Sequence, residues 1–167
     1  PANNIAKIGH FATELRGLAP SNDVVNVNQT GNITVVVGHD LTMEGGTAQG
    51  ASQPNQLAYA QIGLGGAGVD GILSGDISVF VGNDLVTKDG TTIAGTATKN
   101  NYVMIGNGDW LRDGSDATTA FNPGAGARSG DIQVAVGGNA SLDHTLIGHA
   151  DPLVQNGLTT IADGNTY

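Results

Sequence analysis

The sequence predicts an all-β protein that folds as a parallel β-solenoid, because one phrase recurs, its strands alternate, and its composition suits tight turns. The phrase reads TGNITVVVGHDL at 30–41, SGDISVFVGNDL at 74–85 and SGDIQVAVGGNA at 129–140. The chain holds 27 Gly in 167 residues and few aromatic residues, which is typical of short strands joined by turns. Self-similarity over such a period marks a repeat architecture.

A second phrase alternates with the first. It reads YAQIG at 59–63 and YVMIG at 102–106, with weaker copies IAKIG at 5–9 and HTLIG at 144–148. The Ile before the Gly recurs at spacings of 54, 43 and 42 residues. These spacings predict a unit of about 43 residues that forms two coils of about 20 residues each. Residues 1–167 then form a single solenoid segment, and the register of its termini predicts that it was cut from a longer array.

Each long strand alternates strictly between apolar and mixed positions. Ile77, Val79 and Val81 point to one side, while Ser78 and Phe80 point to the other, which predicts strands with one buried face. A glycine ends each of these strands, where it can adopt a positive φ; these glycines are Gly38, Gly82 and Gly137. Two carboxylates that precede the strands, Asp76 and Asp131, are expected to cap the strand entry by accepting backbone N–H groups.

Identical inner rows can stack in register. Ile33, Ile77 and Ile132 occupy equivalent positions, so a stack of coils would place Ile on Ile and build a continuous core. An antiparallel β-sandwich is the alternative fold, because it also uses short alternating strands. The sandwich does not require the same phrase to return in the same order, and the solenoid is therefore favoured.

Charge and composition exclude several classes of partner. Six basic residues face fifteen acidic ones, giving a formal net charge of −9, which disfavours binding to nucleic acid or anionic membranes. The absence of cysteine excludes disulfides and thiolate metal sites. No segment approaches the ~18 apolar residues of a membrane span, so membrane insertion is not expected.

The stretch AYAQIGLGGAGVDG, followed by SGDISVFVGNDL, resembles the repeats of large bacterial adhesins of the filamentous-haemagglutinin type. That family pattern runs Tyr-x-x-Ile-Gly-x-Gly-Gly, then Gly-Asp-Ile-x-Val, then a Gly-x-Asp-Leu corner, and it matches best over residues 57–106. Ile5 and His144 depart from it by replacing the Tyr. The resemblance implies a right-handed parallel β-helix, a secreted or cell-surface location, and a role in adhesion, virulence or biofilm formation.

These observations together predict a non-enzymatic rod segment that presents loops to a glycan or protein on a host or neighbouring cell. Two units carry extra residues at the same corner, so residues 10–30 and 107–129 are expected to form the contact side. The candidate contact residues lie in the second insertion; they are Asp109, Trp110, Arg112, Asp113 and Phe121. An alternative is that Trp110 and Phe121 fold down to cover the rod. Cut ends would also favour head-to-tail self-association.

Calcium is the only candidate cofactor. GGAGVDGIL at 65–73 fits the calcium-binding nonapeptide pattern and places Asp70 as a ligand, but the motif needs tandem copies and this chain has one. Asp116 joins two other carboxylates in the second insertion, where a hard cation would find oxygen ligands. A plain glycine-rich turn is the favoured interpretation, and no cofactor is expected.

A polysaccharide-degrading β-helix lyase or hydrolase is the alternative function. Such a site needs clustered carboxylates and a basic residue against the sugar acid. Here the basic residues are scattered, and the histidines at 10, 39 and 149 occupy repeat slots that Leu, Asn or Gly also fill. These histidines are therefore interpreted as corner residues of the coil, and not as catalytic groups.

Overall fold

The computed structural model describes residues 5–10, 25–46, 58–66, 69–90, 102–108 and 127–149. Every regular element in these ranges is a β-strand. Within the same ranges there is no helix with the length and apolar character needed to cross a membrane.

The chain passes through its strands in successive rounds, which we call coils. The first coil contains β1 (Ala6–Ile8), β2 (Val25–Asn26), β3 (Gln29–Thr30), β4 (Ile33–Val37) and β5 (Leu41–Glu44). The second contains β6 (Ala60–Ile62), β7 (Val69–Asp70), β8 (Leu73–Ser74), β9 (Ile77–Val81) and β10 (Leu85–Lys88). The third contains β11 (Val103–Ile105), β12 (Arg128–Ser129), β13 (Ile132–Val136) and β14 (Ala140–Leu142), and β15 (Thr145–Ile147) begins a fourth.

Each strand pairs in parallel with its counterpart in the neighbouring coil, giving five stacked sheets in the described part of the chain. Sheet A is β1-β6-β11-β15, sheet B is β2-β7, sheet C is β3-β8-β12, sheet D is β4-β9-β13 and sheet E is β5-β10-β14. All strand pairs of these sheets are parallel, which excludes the antiparallel sandwich for the described residues. The chain visits the sheets in the same order in each coil, as a solenoid requires.

The register joins equivalent residues of successive units. Ile33 pairs with Ile77, and Ile77 pairs with Ile132, so the predicted Ile rungs are confirmed. Strands of successive units are direct neighbours, with no strand of another coil between them. The expectation of two coils per unit is therefore wrong: one pass through both phrases makes one coil.

The main core lies on the inner faces of sheets A, C, D and E. The inner row of β9 is buried, whereas Phe80 on its opposite face is exposed, which confirms the alternation. Ile62 and Ile105 of sheet A face the same core. Because each inner side chain packs on its equivalents in the coils above and below, the core continues through the stack.

Sheet A is buried on both faces at its two middle strands, β6 and β11, which the alternating pattern did not predict. Its opposite face carries a second cluster formed by Tyr59, Tyr102, Met104 and Leu146, with Ile5 packed against it. The rings of Tyr59 and Tyr102 stack with their centroids 4.7 Å apart and their planes 8° from parallel. The Tyr residues that open the second and third units thus stack on each other between coils.

Glycines are required mainly by the closeness of the coils. The glycines that end the long strands do not use the positive φ that is open to them, since none of them is among the positive-φ glycines of the described residues; they are Gly38, Gly82 and Gly137. A Cβ on Gly82 would instead lie 2.3 Å from the carbonyl oxygen of Gly38, in the coil below. At Gly63 both reasons apply, because φ is 157° and a Cβ would lie 1.8 Å from the oxygen of Gly106.

The third coil closes by a short connection. Only Asp143 and His144 separate β14 from β15, whereas residues 45–59 and 89–102 make the same link in the first two coils. His144 adopts a φ of 42°, and its Nδ1 lies 2.8 Å from Oδ1 of Asp143. Its departure from the repeat Tyr therefore coincides with a tight turn, in which a left-handed residue is needed.

Candidate functional site

The corner between sheets A and C is where the two predicted insertions leave the coil. In the third coil the insertion is fixed at both sides: the Gly108 N–H donates to the Leu64 oxygen, and the Leu73 N–H donates to the Ala127 oxygen, each at 2.9 Å. The second coil joins the same two points through residues 65–72. In the first coil the chain returns at β2, which pairs with β7 of that same connection. Both insertions therefore begin and end at one corner of the stack.

Asn107 holds this corner together from inside. Its side chain is fully buried, and its Oδ1 accepts the Leu64 N–H at 2.9 Å. Its Nδ2 donates to the oxygens of Gly75 and Ser129, each at 3.2 Å. One amide thus joins the end of sheet A to the carboxyl-terminal end of sheet C in two coils, and all of its polar atoms are bonded to the backbone.

His149 occupies the equivalent slot one coil further. The Asn107 N–H donates to its Nδ1 at 3.1 Å, and its Nε2 lies 2.9 Å from the Gly130 oxygen. These partners assign the neutral tautomer with the proton on Nε2, because Nδ1 must accept while Nε2 donates. The ring therefore bridges the corner as Asn107 does, which agrees with its interpretation as a corner residue.

A buried polar group on the second face of sheet A was missed by the sequence reasoning. Gln61 is buried, and its Nε2 donates to the oxygens of Gly106 and Gly108, each at 3.0 Å. The Lys7 ammonium donates to Oε1 of Gln61 at 2.8 Å and to the oxygen of Gly65. One feature of the sequence could have indicated this buried group: Gln61 occupies the repeat position that Met104 and Leu146 fill with apolar side chains.

Two polar ladders run along the corners on either side of sheet D. In the first, the Asp76 N–H donates to Oδ1 of Asn32, and the Asp131 N–H donates to Oδ1 of Asp76, each at 3.0 Å. Asp76 was expected to cap its own strand entry, and it does accept a backbone N–H. That N–H belongs to Asp131 of the next coil. At the corner the backbone of the next coil leaves the strand direction, so this N–H has no strand carbonyl to bond and uses the Asp76 side chain instead.

The second ladder repeats this arrangement after sheet D. The Asp84 N–H donates to Oδ1 of Asp40 at 3.1 Å, and the Asn139 N–H donates to Oδ1 of Asp84 at 2.8 Å. Asn83 adds a side-chain bond to Asp40 at 2.7 Å. In both ladders the side chain of one coil accepts from the following coil, so all four bonds have the same direction along the stack.

The second ladder stabilises a carboxylate. Three groups lower the pKa of Asp40 below the ordinary aspartate value of 3.8. The largest effect comes from the Asp84 backbone N–H, followed by the Asn83 side-chain amide and then by the nearby His39. Desolvation raises the pKa, but by less than the hydrogen bonds lower it. Hydrogen bonds donated to the ionised form favour that form. Stability gained from this shift is present above the unfolded-state pKa and is lost as the pH falls through the folded-state pKa.

We therefore expect the melting temperature of Asp40→Asn to be lower than that of the wild type at neutral pH and equal to it at pH 2. Asn keeps an acceptor oxygen but carries no charge, and at pH 2 the wild-type carboxyl is uncharged as well. Thermal unfolding followed by circular dichroism between pH 2 and pH 7 measures the difference. Asp40→Ala is the control, since it removes the acceptor and should melt lower at every pH. A gap between wild type and Asp40→Asn that stays constant down to pH 2 would contradict the expectation.

The candidate contact residues lie outside the described ranges; they are Asp109, Trp110, Arg112, Asp113 and Phe121. The calcium candidate Asp116 lies outside these ranges as well. Asp70 lies in β7, but its side chain is also outside the description. The structure consequently places the two flanks of the second insertion and leaves its contact residues as predictions. Among the described residues, no three His, Cys, Asp or Glu side chains are grouped so as to hold a metal ion.

The described side chains of the corner use their polar atoms to join neighbouring coils. Gln29, for example, accepts the Gly65 N–H at 2.9 Å. This chemistry holds the coils of the described stack together at the corner. In comparisons with known proteins, no family model, curated protein or solved structure matches the chain.

Proposed function

We propose that this chain is a non-enzymatic rod segment of a secreted or cell-surface bacterial adhesin. We further propose that it is a right-handed parallel β-solenoid with one unit of about 43 residues per coil. The observation that carries the proposal is the unbroken register of sheet D, in which all five positions of β4, β9 and β13 are aligned. The filamentous-haemagglutinin resemblance supports the handedness and the location.

Such a stack is well suited to mechanical work. Each coil is joined to the next by parallel strands, by inner apolar rows and by the polar ladders at the corners. Sliding one coil against its neighbour would break all three kinds of contact together. A solenoid of this kind therefore acts as a stiff spacer, and its loops, not its strands, are left for recognition.

The contact side that we propose is the corner that carries residues 10–30 and 107–129. Its scaffold is firmly held, because Gly108 and Ala127 are both bonded to the coil below. The proposed ligand is a glycan or a protein on a host or neighbouring cell. Trp110 is the proposed anchor, since an indole can stack on a sugar ring or fill a pocket, with Asp109, Arg112, Asp113 and Phe121 around it.

The test exchanges the long connection for the short one. Residues 109–127 are replaced by the sequence GAGVDGI of residues 66–72, which joins the same two points one coil earlier. The graft keeps Asn107, Gly108 and Arg128, so the fold is expected to melt within a few degrees of the wild type. Binding of protein-coated beads to cultured cells and to glycan arrays is expected to be lost.

Trp110→Ala is the matched point variant and should weaken binding without affecting the melting temperature. Unchanged binding by the graft would contradict the proposed contact side. A large loss of melting temperature in both variants would instead show that Trp110 and Phe121 cover the rod, which is the alternative that the sequence left open.

A further inference from the structure

The corner between sheets A and C contains a chemically reactive pair of residues, because Asn107 is followed directly by Gly108. The glycine of an Asn-Gly pair has no Cβ to hinder its backbone nitrogen, so this nitrogen can attack the side-chain amide before it, which makes such asparagines thermolabile. The chain has one other Asn-Gly pair, Asn156-Gly157, which lies outside the described ranges. Asn107-Gly108 is therefore a candidate for deamidation.

Deamidation of this pair begins when the Gly108 nitrogen attacks Cγ of Asn107. A bond between the nitrogen and Cγ forms while the bond between Cγ and Nδ2 breaks, the proton of the Gly108 N–H goes to the leaving nitrogen, and ammonia departs. The product is a five-membered succinimide. Water then opens this ring at either of its two carbonyl carbons, which gives aspartate or isoaspartate at position 107. The reaction needs water and no oxidant or cofactor.

The folded corner holds the side-chain amide of Asn107 away from this path. The residue is 0% exposed, so water does not reach it. Its Oδ1 accepts the Leu64 N–H at 2.9 Å, and its Nδ2 donates to the oxygens of Gly75 and Ser129, each at 3.2 Å. Attack at Cγ requires the amide to rotate towards the Gly108 nitrogen, so these bonds must break before the reaction can start.

The backbone of the pair is fixed in the same way. The Asn107 N–H donates to Nδ1 of His149 in the next coil at 3.1 Å. The Gly108 N–H donates to the Leu64 oxygen in the preceding coil at 2.9 Å, so the proton that the attacking nitrogen must lose is already bonded. Both reacting groups are thus bound to neighbouring coils, and the pair is protected for as long as the coils stay together.

Neither product of the reaction fits the corner. An aspartate at position 107 keeps one oxygen for the Leu64 N–H, but its second oxygen faces the carbonyl oxygens of Gly75 and Ser129, and an ionised carboxylate has no hydrogen to donate to them. Its charge would also be buried. Isoaspartate adds a carbon atom to the main chain just after sheet A, so the residues that follow lose their register with the preceding coil. A chain that has reacted therefore cannot rebuild the bonds that protected it.

We infer that Asn107-Gly108 is a latent deamidation site that the folded corner keeps inactive. Opening of the corner releases both reacting groups, and the reaction that follows is a one-way step that prevents the corner from forming again. The lifetime of the folded protein is then set by how often the corner opens, because each opening exposes the pair to irreversible modification. The inference holds whether or not the rod is adhesive.

Peptide mapping by mass spectrometry tests the protection. The wild type is kept at mildly alkaline pH, either folded in buffer or unfolded in guanidinium chloride, and the gain in mass from replacing NH2 by OH is followed separately at Asn107 and Asn156. In guanidinium the two pairs should react at similar rates. In buffer Asn107 should react more slowly than in guanidinium by roughly tenfold or more, because the corner must open first. Gly108→Ala should slow the reaction of Asn107 in guanidinium, since a methyl group hinders the attacking nitrogen.

Asn107→Asp reproduces one product and tests the one-way step. It should melt far below the wild type in thermal unfolding, or fail to fold. Asn32→Asp is the matched control, because it makes the same chemical change in an exposed slot where Asp76 and Asp131 already carry carboxylates, and it should melt within a few degrees of the wild type. Equal rates for Asn107 in buffer and in guanidinium would overturn the protection. An Asn107→Asp protein that melts with the wild type would overturn the one-way step.

Discussion

Replacing Val79 by aspartate should unfold the protein or lower its melting temperature drastically. Val79 is fully buried in the middle coil, where its side chain lies in line with Val35 below and Val134 above. A carboxylate there would be buried without a partner, at a cost of about 4 kcal/mol or more. That is a large part of the roughly 5–15 kcal/mol by which domains are stable. Circular dichroism and thermal unfolding measure the loss.

Phe80→Asp is the matched control, since it places the same charge on the adjacent residue of β9 but on the exposed face. It should melt within a few degrees of the wild type. Equal melting temperatures for Val79→Asp and the wild type would contradict the register of sheet D, because no solvent-facing position is available to residue 79 in that register.

Gly63→Ala should be nearly as damaging, although it adds a single carbon atom. The new Cβ would lie 1.8 Å from the Gly106 oxygen, and the backbone at Gly63 has a φ of 157°. Strands in a sheet are about 4.8 Å apart, so relief requires the second and third coils to separate locally. Strain and lost pairing together should cost about 2–4 kcal/mol, measured by urea unfolding.

Gly38→Ala is the control, because nothing lies within 4 Å of a Cβ at that position and its φ is not positive. It should be neutral or slightly stabilising, since Ala restricts the unfolded chain more than Gly does. A Gly63→Ala protein as stable as Gly38→Ala would mean that the coils are not packed at this spacing.

The repeated phrases predicted the parallel stacking and the inner rows correctly. Strict alternation with β-branched residues defines which side of a strand is buried, and the return of the same phrase defines which residues meet. The prediction that each unit forms two coils was wrong, because periodicity measures the length of a repeat but does not show how many times the chain turns within it. The pairing of Ile8 with Ile62 settled that point.

The apolar/polar alternation of the strands could not predict that the second face of sheet A is buried at β6 and β11. Gln61 reads as a solvent-facing residue, yet it is buried because loop carbonyls of the next coil accept its amide hydrogens. The sequence suggested a possible positive φ at Gly82, whereas the structure shows close approach to Gly38 of the neighbouring coil, which the pattern within a single strand cannot reveal. The contact side rests on residues such as Trp110, which lie outside the described ranges, so its chemistry is a prediction from composition alone.

The ladders beside sheet D also bear on how one coil is added to another. Asn32 and Asp40 offer their oxygens to amides that come 44 residues later, and those acceptors exist before the later coil arrives. A coil that is already in place thus offers acceptors to the corner amides of the next coil. A chain that emerges amino terminus first from a ribosome forms these acceptors before the amides that they bind. The same side chains that join the coils of the folded protein would therefore also help each new coil to dock on the one before it.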